Sequence, residues 1–250
     1  MADFPSVLVG MLPGSALSVR VRLSKDLLRK HAARVKGDKA LIDAAVASAW
    51  VTTLRHDTCG VAPYKSETEG DFSELLVVGV QSHAVVTPAQ IGRLQQLIHI
   101  AVQYPLLLAI DAGNATYLSI LPQAAPLEAL VRTQVLPAVP EFFHYVAWQQ
   151  ETRPPHLMAL FHRWSCALHA LALMQNKPAV CVDLPFVPLD SPHVAAQLMA
   201  DLHCLNQEWK SVSQELKKST NPQQRITLSK KRRHLGTQIC QLLQTHHILP

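Results

Sequence analysis

The chain has 250 residues, 48% of them hydrophobic and 16% charged, with a formal net charge of +5. That much apolar material builds a core and excludes global disorder, and no apolar run reaches the roughly 20 residues needed to span a bilayer. The five cysteines are scattered without a CxxC pair, and the opening MADFPSVLVGMLPG has no basic leader and is broken by Pro5 and Pro13. The expectation is a cytoplasmic protein with reduced thiols and no membrane association.

Its charge is unevenly placed. Residues 20–39 hold eight Lys/Arg against Asp26 and Asp38, and residues 210–234 hold eight against Glu215 alone. Residues 40–209 carry seven basic and fourteen acidic side chains. Two basic segments thus flank an acidic body, and sign asymmetry of this kind points to nucleic acid or an acidic protein partner. Solvated helix faces give the same pattern, so charge alone does not decide.

Along the chain, residues 18–23 (SVRVRL) alternate polar and apolar, the period of a half-buried strand. Ser24 reads as an N-cap with helix from Lys25 onward. Gly37-Asp38 breaks that helix, and Asp38 caps a second one, with Leu41, Ile42, Ala45, Val46, Ala49 and Trp50 at helical spacing. Residues 55–71 (RHDTCGVAPYKSETEGD) read as a loop. Residues 73–80 (SELLVVGV) are apolar on both faces, as in a central strand. Thr87 then caps a helix with Pro88 at its first position, and Tyr104-Pro105 ends it.

The stretch YPLLLAIDAGNATYLSI places two apolar runs around Asp111-Ala112-Gly113-Asn114. An Asp, a Gly and an Asn between strands can rim an active site, but Gly and Asn also suit a tight hairpin turn, and that reading explains every residue. Residues 121–155 are Pro-rich, with FFHYVAW as one more strand. HLMALFHRWSCALHALALMQ is a buried helix, and residues 178–188 are an extended connector.

The C-terminal part is the most regular. Ala195, Leu198, Leu202, Leu205, Trp209, Val212 and Leu216 form a heptad seam. Asn221 and Pro222 restart a helix whose apolar face is Leu228, Leu235, Ile239 and Leu242. The short connection makes the two helices antiparallel. The seam either holds this hairpin together or joins two chains into a homodimer. Lys230, Lys231, Arg232 and Arg233 fall in the early turns of the second helix, close to the hairpin tip, where cations oppose the helix dipole. That placement points to a role outside the fold.

Searches for chemistry give little. A restriction-type nuclease needs an acid and then Glu-x-Lys on a strand. Asp71 and Glu74 supply acids, but Val77-Val78 stand where the Lys belongs. His162, Cys166 and His169 share one helix face and suit Zn²⁺, yet no fourth ligand is indicated unless His203-Cys204 supplies it. His56 and Cys59 resemble a base and a nucleophile, a pairing any His-rich chain produces. There is no GxSxG, GxxxxGK[ST] or GxGxxG. No aromatics interleave with the basic residues, so any nucleic acid is expected to bind through its phosphates.

The order of these features resembles an uncharacterised bacterial family, a domain of unknown function. The features that carry it are a basic helix, the SELLVVGV strand, a helix ending at Tyr104-Pro105, the LLLAI…TYLSIL hairpin, FHRWSCALHALALM and the C-terminal hairpin. The resemblance covers roughly residues 10–245. It implies a setting beside DNA methyltransferases and DEAD/DEAH-type helicases in restriction-like and phage-defence clusters. It implies no catalytic residues.

The resulting expectation is an α+β fold, a small mixed β-sheet with flanking helices followed by a C-terminal antiparallel helical hairpin. Residues 1–155 form the α+β body, 156–189 the buried helix and connector, and 190–250 the hairpin with a basic tip. The expected role is a non-enzymatic accessory subunit of a restriction-like or antiviral defence complex, without cofactor or metal. It docks on a helicase or DNA methyltransferase of the same cluster. Arg20, Arg22, Lys25, Arg29, Lys30, Arg34, Lys36, Lys230, Lys231, Arg232 and Arg233 contact DNA phosphates or an acidic partner. The alternative is a metal-dependent hydrolase or nuclease with a divergent site.

Overall fold

The computed structural model describes residues 5–32, 35–83, 86–102, 104–121, 126–135, 139–149, 153–181 and 183–249. The chain divides into two compact units, Met1–Leu168 and His169–Pro250. The first opens with short helices α1 (Ser6–Met11) and α2 (Gly14–Ser18), strand β1 (Val21–Arg22), and helices α3 (Lys25–Ala32) and α4 (Lys36–Ala45). Strand β2 (Val46–Leu54), a single turn α5 (His56–Cys59), strands β3 (Tyr64–Ser66), β4 (Gly70–Phe72) and β5 (Leu75–Ser82), and helix α6 (Pro88–Ala101) follow. Strands β6 (Leu106–Asp111), β7 (Thr116–Ile120) and β8 (Val131–Gln134) complete the sheet, then α7 (Pro140–Val146). Helix α8 (Leu157–Gln175) contributes turns to both units.

Six strands form one mixed sheet in the order β1-β2-β5-β6-β7-β8. Only β5 and β6 run parallel, and α6 is the crossover between them. The chain builds α6 from a reciprocal cap. Thr87 Oγ1 accepts from Gln90 N at 3.3 Å, Thr87 N donates to Gln90 Oε1 at 2.9 Å, and Pro88 holds the first position. Its Ile91, Leu94, Leu97 and Ile98 bury against Val78, Val80, Leu106, Leu108 and Ile110, where Leu28 of α3 and Ile42 of α4 join them. The other sheet face is buried too: Thr52 Oγ1 donates to the Ala16 carbonyl of α2 at 2.6 Å. A sheet covered on both faces needs apolar strands on both sides, which SELLVVGV and LLLAI supply.

A β-bulge shapes the junction of α4 and β2. Val46 pairs with Ser82 and Ser48 with Gln81, leaving Ala47 as an extra residue. The bulge lets Val46 and Ala49, three apart, enter the same core beneath α6. Residues 41–50 are therefore not one helix, as the spacing implied. The helix ends at Ala45 and a strand begins.

Other local expectations change as well. FFHYVAW is not a strand: Pro140 starts α7, and Phe142 and Val146 bury at helical spacing while Phe143 is exposed. Within 18–23 only Val21 and Arg22 pair as strand, against Val51 and Trp50. The loop at 55–71 holds α5 and the β3–β4 hairpin, and β8 lies in the Pro-rich segment. Among the described residues α8 alone has the length and hydropathy to cross a membrane, and 72% of that stretch is buried inside the protein, as in a core helix.

In the second unit, α9 (Pro192–Lys218) and α10 (Pro222–Thr245) pack together. Asn221 Oδ1 accepts from Gln223 N at 2.9 Å and Gln224 N at 3.4 Å, capping α10. Val212 packs with Leu228 and Leu235, and Leu198 and Leu202 with Ile239 and Leu243. Numbers that rise on one helix fall on the other, so the pair is antiparallel. The heptad seam is covered by α10 of the same chain.

Candidate nucleic-acid interface

The four-residue basic cluster of α10 is exposed throughout but divides in two. Lys231 Nζ lies 2.8 Å from Glu208 Oε1 on α9, and Glu215 adds a second favourable charge. Both carboxylates hold the Lys231 ammonium charged, raising its pKa. The Arg232 guanidinium sits over the Trp209 ring, 5.9 Å from its centre and within reach of a cation–π contact. These two cations brace α10 against α9 from either side of the seam. At 100° per residue, Lys230 and Arg233 lie on the opposite side of α10 from Leu228 and Leu235, and project away from α9.

The cluster is also set back from the tip. Lys230 lies nine residues past Asn221, about 13 Å along the helix at 1.5 Å per residue. Lys217, Lys218 and Arg225, all exposed, occupy the tip itself, and Arg225 Nη1 donates to the Ser219 carbonyl at 3.3 Å. Their place beside the cluster is visible once the hairpin brings the end of α9 next to the start of α10.

The N-terminal basic segment has a different fate. Arg29 is held between Asp26 and Asp43, with Nε 2.5 Å from Asp43 Oδ1. Arg20 donates to the Leu17 carbonyl at 3.0 Å and its guanidinium lies 5.7 Å from the Trp50 ring centre. Lys25 is half-buried, while Arg22, Lys30 and Lys36 are exposed. Arg34 lies outside the described residues. The segment thus engages Arg20 and Arg29 in contacts within its own unit.

The other chemical candidates resolve into structure. Asp71 pairs with Lys65 at 2.8 Å and accepts from Ser73 N at 2.9 Å, which holds its carboxyl well below the usual carboxylate range. Glu74 pairs with Arg55 at 2.7 Å instead of joining Asp71. Cys59 donates its thiol to the Arg55 carbonyl at 2.9 Å, and burial pushes that thiol up, away from the thiolate. On α8, His162 meets the Phe72 ring edge-on at 6.3 Å, and burial lowers its pKa. Cys166 and His169 are buried. Among the described residues no group of three His, Cys, Asp or Glu comes together to hold a metal ion.

Asp111-Ala112-Gly113-Asn114 is a turn. Asp111 Oδ1 accepts from Gly113 N at 2.8 Å, Ala112 N donates to the Ala115 carbonyl at 2.9 Å, and Gly113 has φ +81°.

Residues 11–239 match a family model described as "Domain of unknown function (DUF4391)". No curated protein and no solved structure matches the chain.

Proposed function

The chain belongs to the DUF4391 family, and we propose that it is a non-enzymatic accessory subunit of a DNA-handling complex. In this reading it docks on a helicase or DNA methyltransferase of a restriction-like or phage-defence cluster. Its α9–α10 hairpin contacts DNA phosphates. One observation supports this above the others. The hairpin closes its apolar seam within the chain and turns most of its cations to solvent. Helices that only needed each other would not gather Lys217, Lys218, Arg225, Lys230 and Arg233 at one end, where like charges repel.

A native pull-down of the tagged protein from its own cells, with and without nuclease, tests the reading by mass spectrometry. A helicase or methyltransferase that stays bound after nuclease supports it. Loss of every partner on nuclease treatment, or recovery of none, removes the subunit role.

A further inference from the structure

Charge on the hairpin is segregated by side. On α9, Asp201, Glu208 and Glu215 recur every seven residues, and so do His203, Lys210 and Lys217. A seven-residue step returns to nearly the same angle on a helix, so each set forms one stripe. The Lys231–Glu208 pair fixes the acidic stripe on one flank of the seam. The open groove lined by Asp201, Cys204, Gln238 and Gln241 continues that flank. The Arg232–Trp209 contact fixes the other flank, and Gly236 lies against Trp209 on the same side. Helical spacing from these anchors puts Lys210 and Lys217 of α9 with Arg225 and Arg232 of α10 on this second flank, and Arg233 at its outer edge. No Asp or Glu of either helix between residues 205 and 245 falls there.

We infer that this flank of the distal hairpin is a binding face for the backbone of duplex nucleic acid. The inference rests on the nucleic-acid reading above and names the side that carries it. Lys210 and Lys217 are about 10.5 Å apart along α9, about three base-pair rises of 3.4 Å. Cations on both helices make a strip with room for two or three successive phosphates. Ser229 lies on the same flank and adds a neutral donor. The face offers no exposed aromatic for base stacking, because Trp209 lies beneath Arg232. A protein partner would need an apolar or aromatic centre to its interface. Ile226 is the large apolar side chain exposed at this end among the described residues. Binding is therefore through phosphates and without sequence preference.

The test uses the full chain and a fluorescein-labelled 20-bp DNA duplex, read by anisotropy over a salt series. The face variant is Lys210→Glu/Lys217→Glu/Arg233→Glu. A charge-matched control, Lys39→Glu/Lys65→Glu/Lys177→Glu, reverses three exposed cations outside the hairpin. Gln238→Glu/Gln241→Glu adds two negative charges on the other, acidic flank. Far-UV circular dichroism verifies that each variant keeps its helicity.

The expected result is at least about 30-fold weaker binding for the face variant. Its slope of log K against log salt falls by about 2.7, or about 0.9 for each phosphate no longer neutralised. The two control variants change binding by less than about threefold. If the controls weaken binding as much as the face variant, the face assignment is overturned while the nucleic-acid reading stands. If the unaltered chain does not bind the duplex at low salt, both are overturned.

Discussion

Arg93 of α6 meets Asp38 of α4 fork to fork, Nε to Oδ1 and Nη2 to Oδ2, each at 3.0 Å. Asp38 is nearly sealed, its side chain 4% exposed, while Arg93 reaches it from the surface at 37%. The same carboxylate accepts from Val35 N at 3.0 Å and so caps the helix it belongs to, three positions in from the cap. One side chain joins two helices above the sheet and closes the start of one of them. Asp38→Ala removes both contacts and leaves Arg93 free to turn to water. The expected loss is about 2 kcal/mol. It appears as a lower urea midpoint, with Asp38→Asn falling between. An unchanged midpoint would mean the fork is ornamental.

His99 is buried in the polar spot beneath α6, its Nε2 3.0 Å from Ser119 Oγ of β7. Burial lowers its pKa to about 4. The unfolded chain binds that proton at about 6.5. Between these values the unfolded state holds more protons, so stability is full above about pH 6.5 and is lost as pH falls towards 4. The loss from this residue is about 2 kcal/mol at pH 5 and about 3 at pH 4. His162, also lowered by burial, acts in the same direction. Melting curves of the native chain and of His99→Asn from pH 7.5 to 4.5 isolate the effect. The variant starts less stable and declines more gently. Parallel declines would show that His99 is not the titrating group.

Gly113 sits at φ +81° in the β6–β7 turn, with open space where a Cβ would go. The cost of a side chain there is backbone strain alone. Gly113→Ala is expected to lose about 1 kcal/mol and Gly113→Asn less, since Asn tolerates the left-handed region. Equal losses for the two, in thermal melts, would contradict this account.

Ile239 is fully buried in the hairpin beside Leu198, Leu202 and Leu243. Truncating it to Ala leaves a cavity among these side chains. A loss of about 2–4 kcal/mol is expected, with helical signal melting earlier. Leu242→Ala, half-buried at the edge of the same seam, is the milder comparison. Should Ile239→Ala melt no earlier than Leu242→Ala, the seam is not what holds the hairpin.

Elements announced by their own caps were legible in the sequence. Thr87-Pro88 and Asn221-Pro222 opened helices where expected, because capping is a contact among near neighbours. Gly113 marked its turn for the same reason. The strand β2 was not legible. Its bulge at Ala47 makes Val46 and Ala49 share a face at a three-residue step, which imitates a helix. The aromatic run of α7 imitated a strand, and only Pro140 pointed the other way. At the candidate site, the cations were plain but their sorting was not. Lys231 finds Glu208 and Arg232 finds Trp209 more than twenty residues back along the chain. Which cations brace the hairpin and which face outward depends on how antiparallel helices register. No short window contains that information.

The bulge at Ala47 also sets how this region can change in length over evolution. Helix α4 and strand β2 share a peptide bond at Ala45–Val46, with no connecting residue to absorb an insertion or deletion. Removing Ala47 would leave Val46 opposite Ser82 and Ser48 opposite Gln81, so the register would survive, but the bend that the extra residue gives the strand would be lost. Helix α4 would then meet the sheet from another direction, shifting Ile42 and Ala45 in the core beneath α6. Adding a residue to α4 would turn the preceding helix by 100° and break the Asp38–Arg93 fork. Residues 36–54 therefore behave as a ruler of fixed length. Homologous chains are expected to vary in amino acids along it while keeping its span, and to gather their insertions elsewhere.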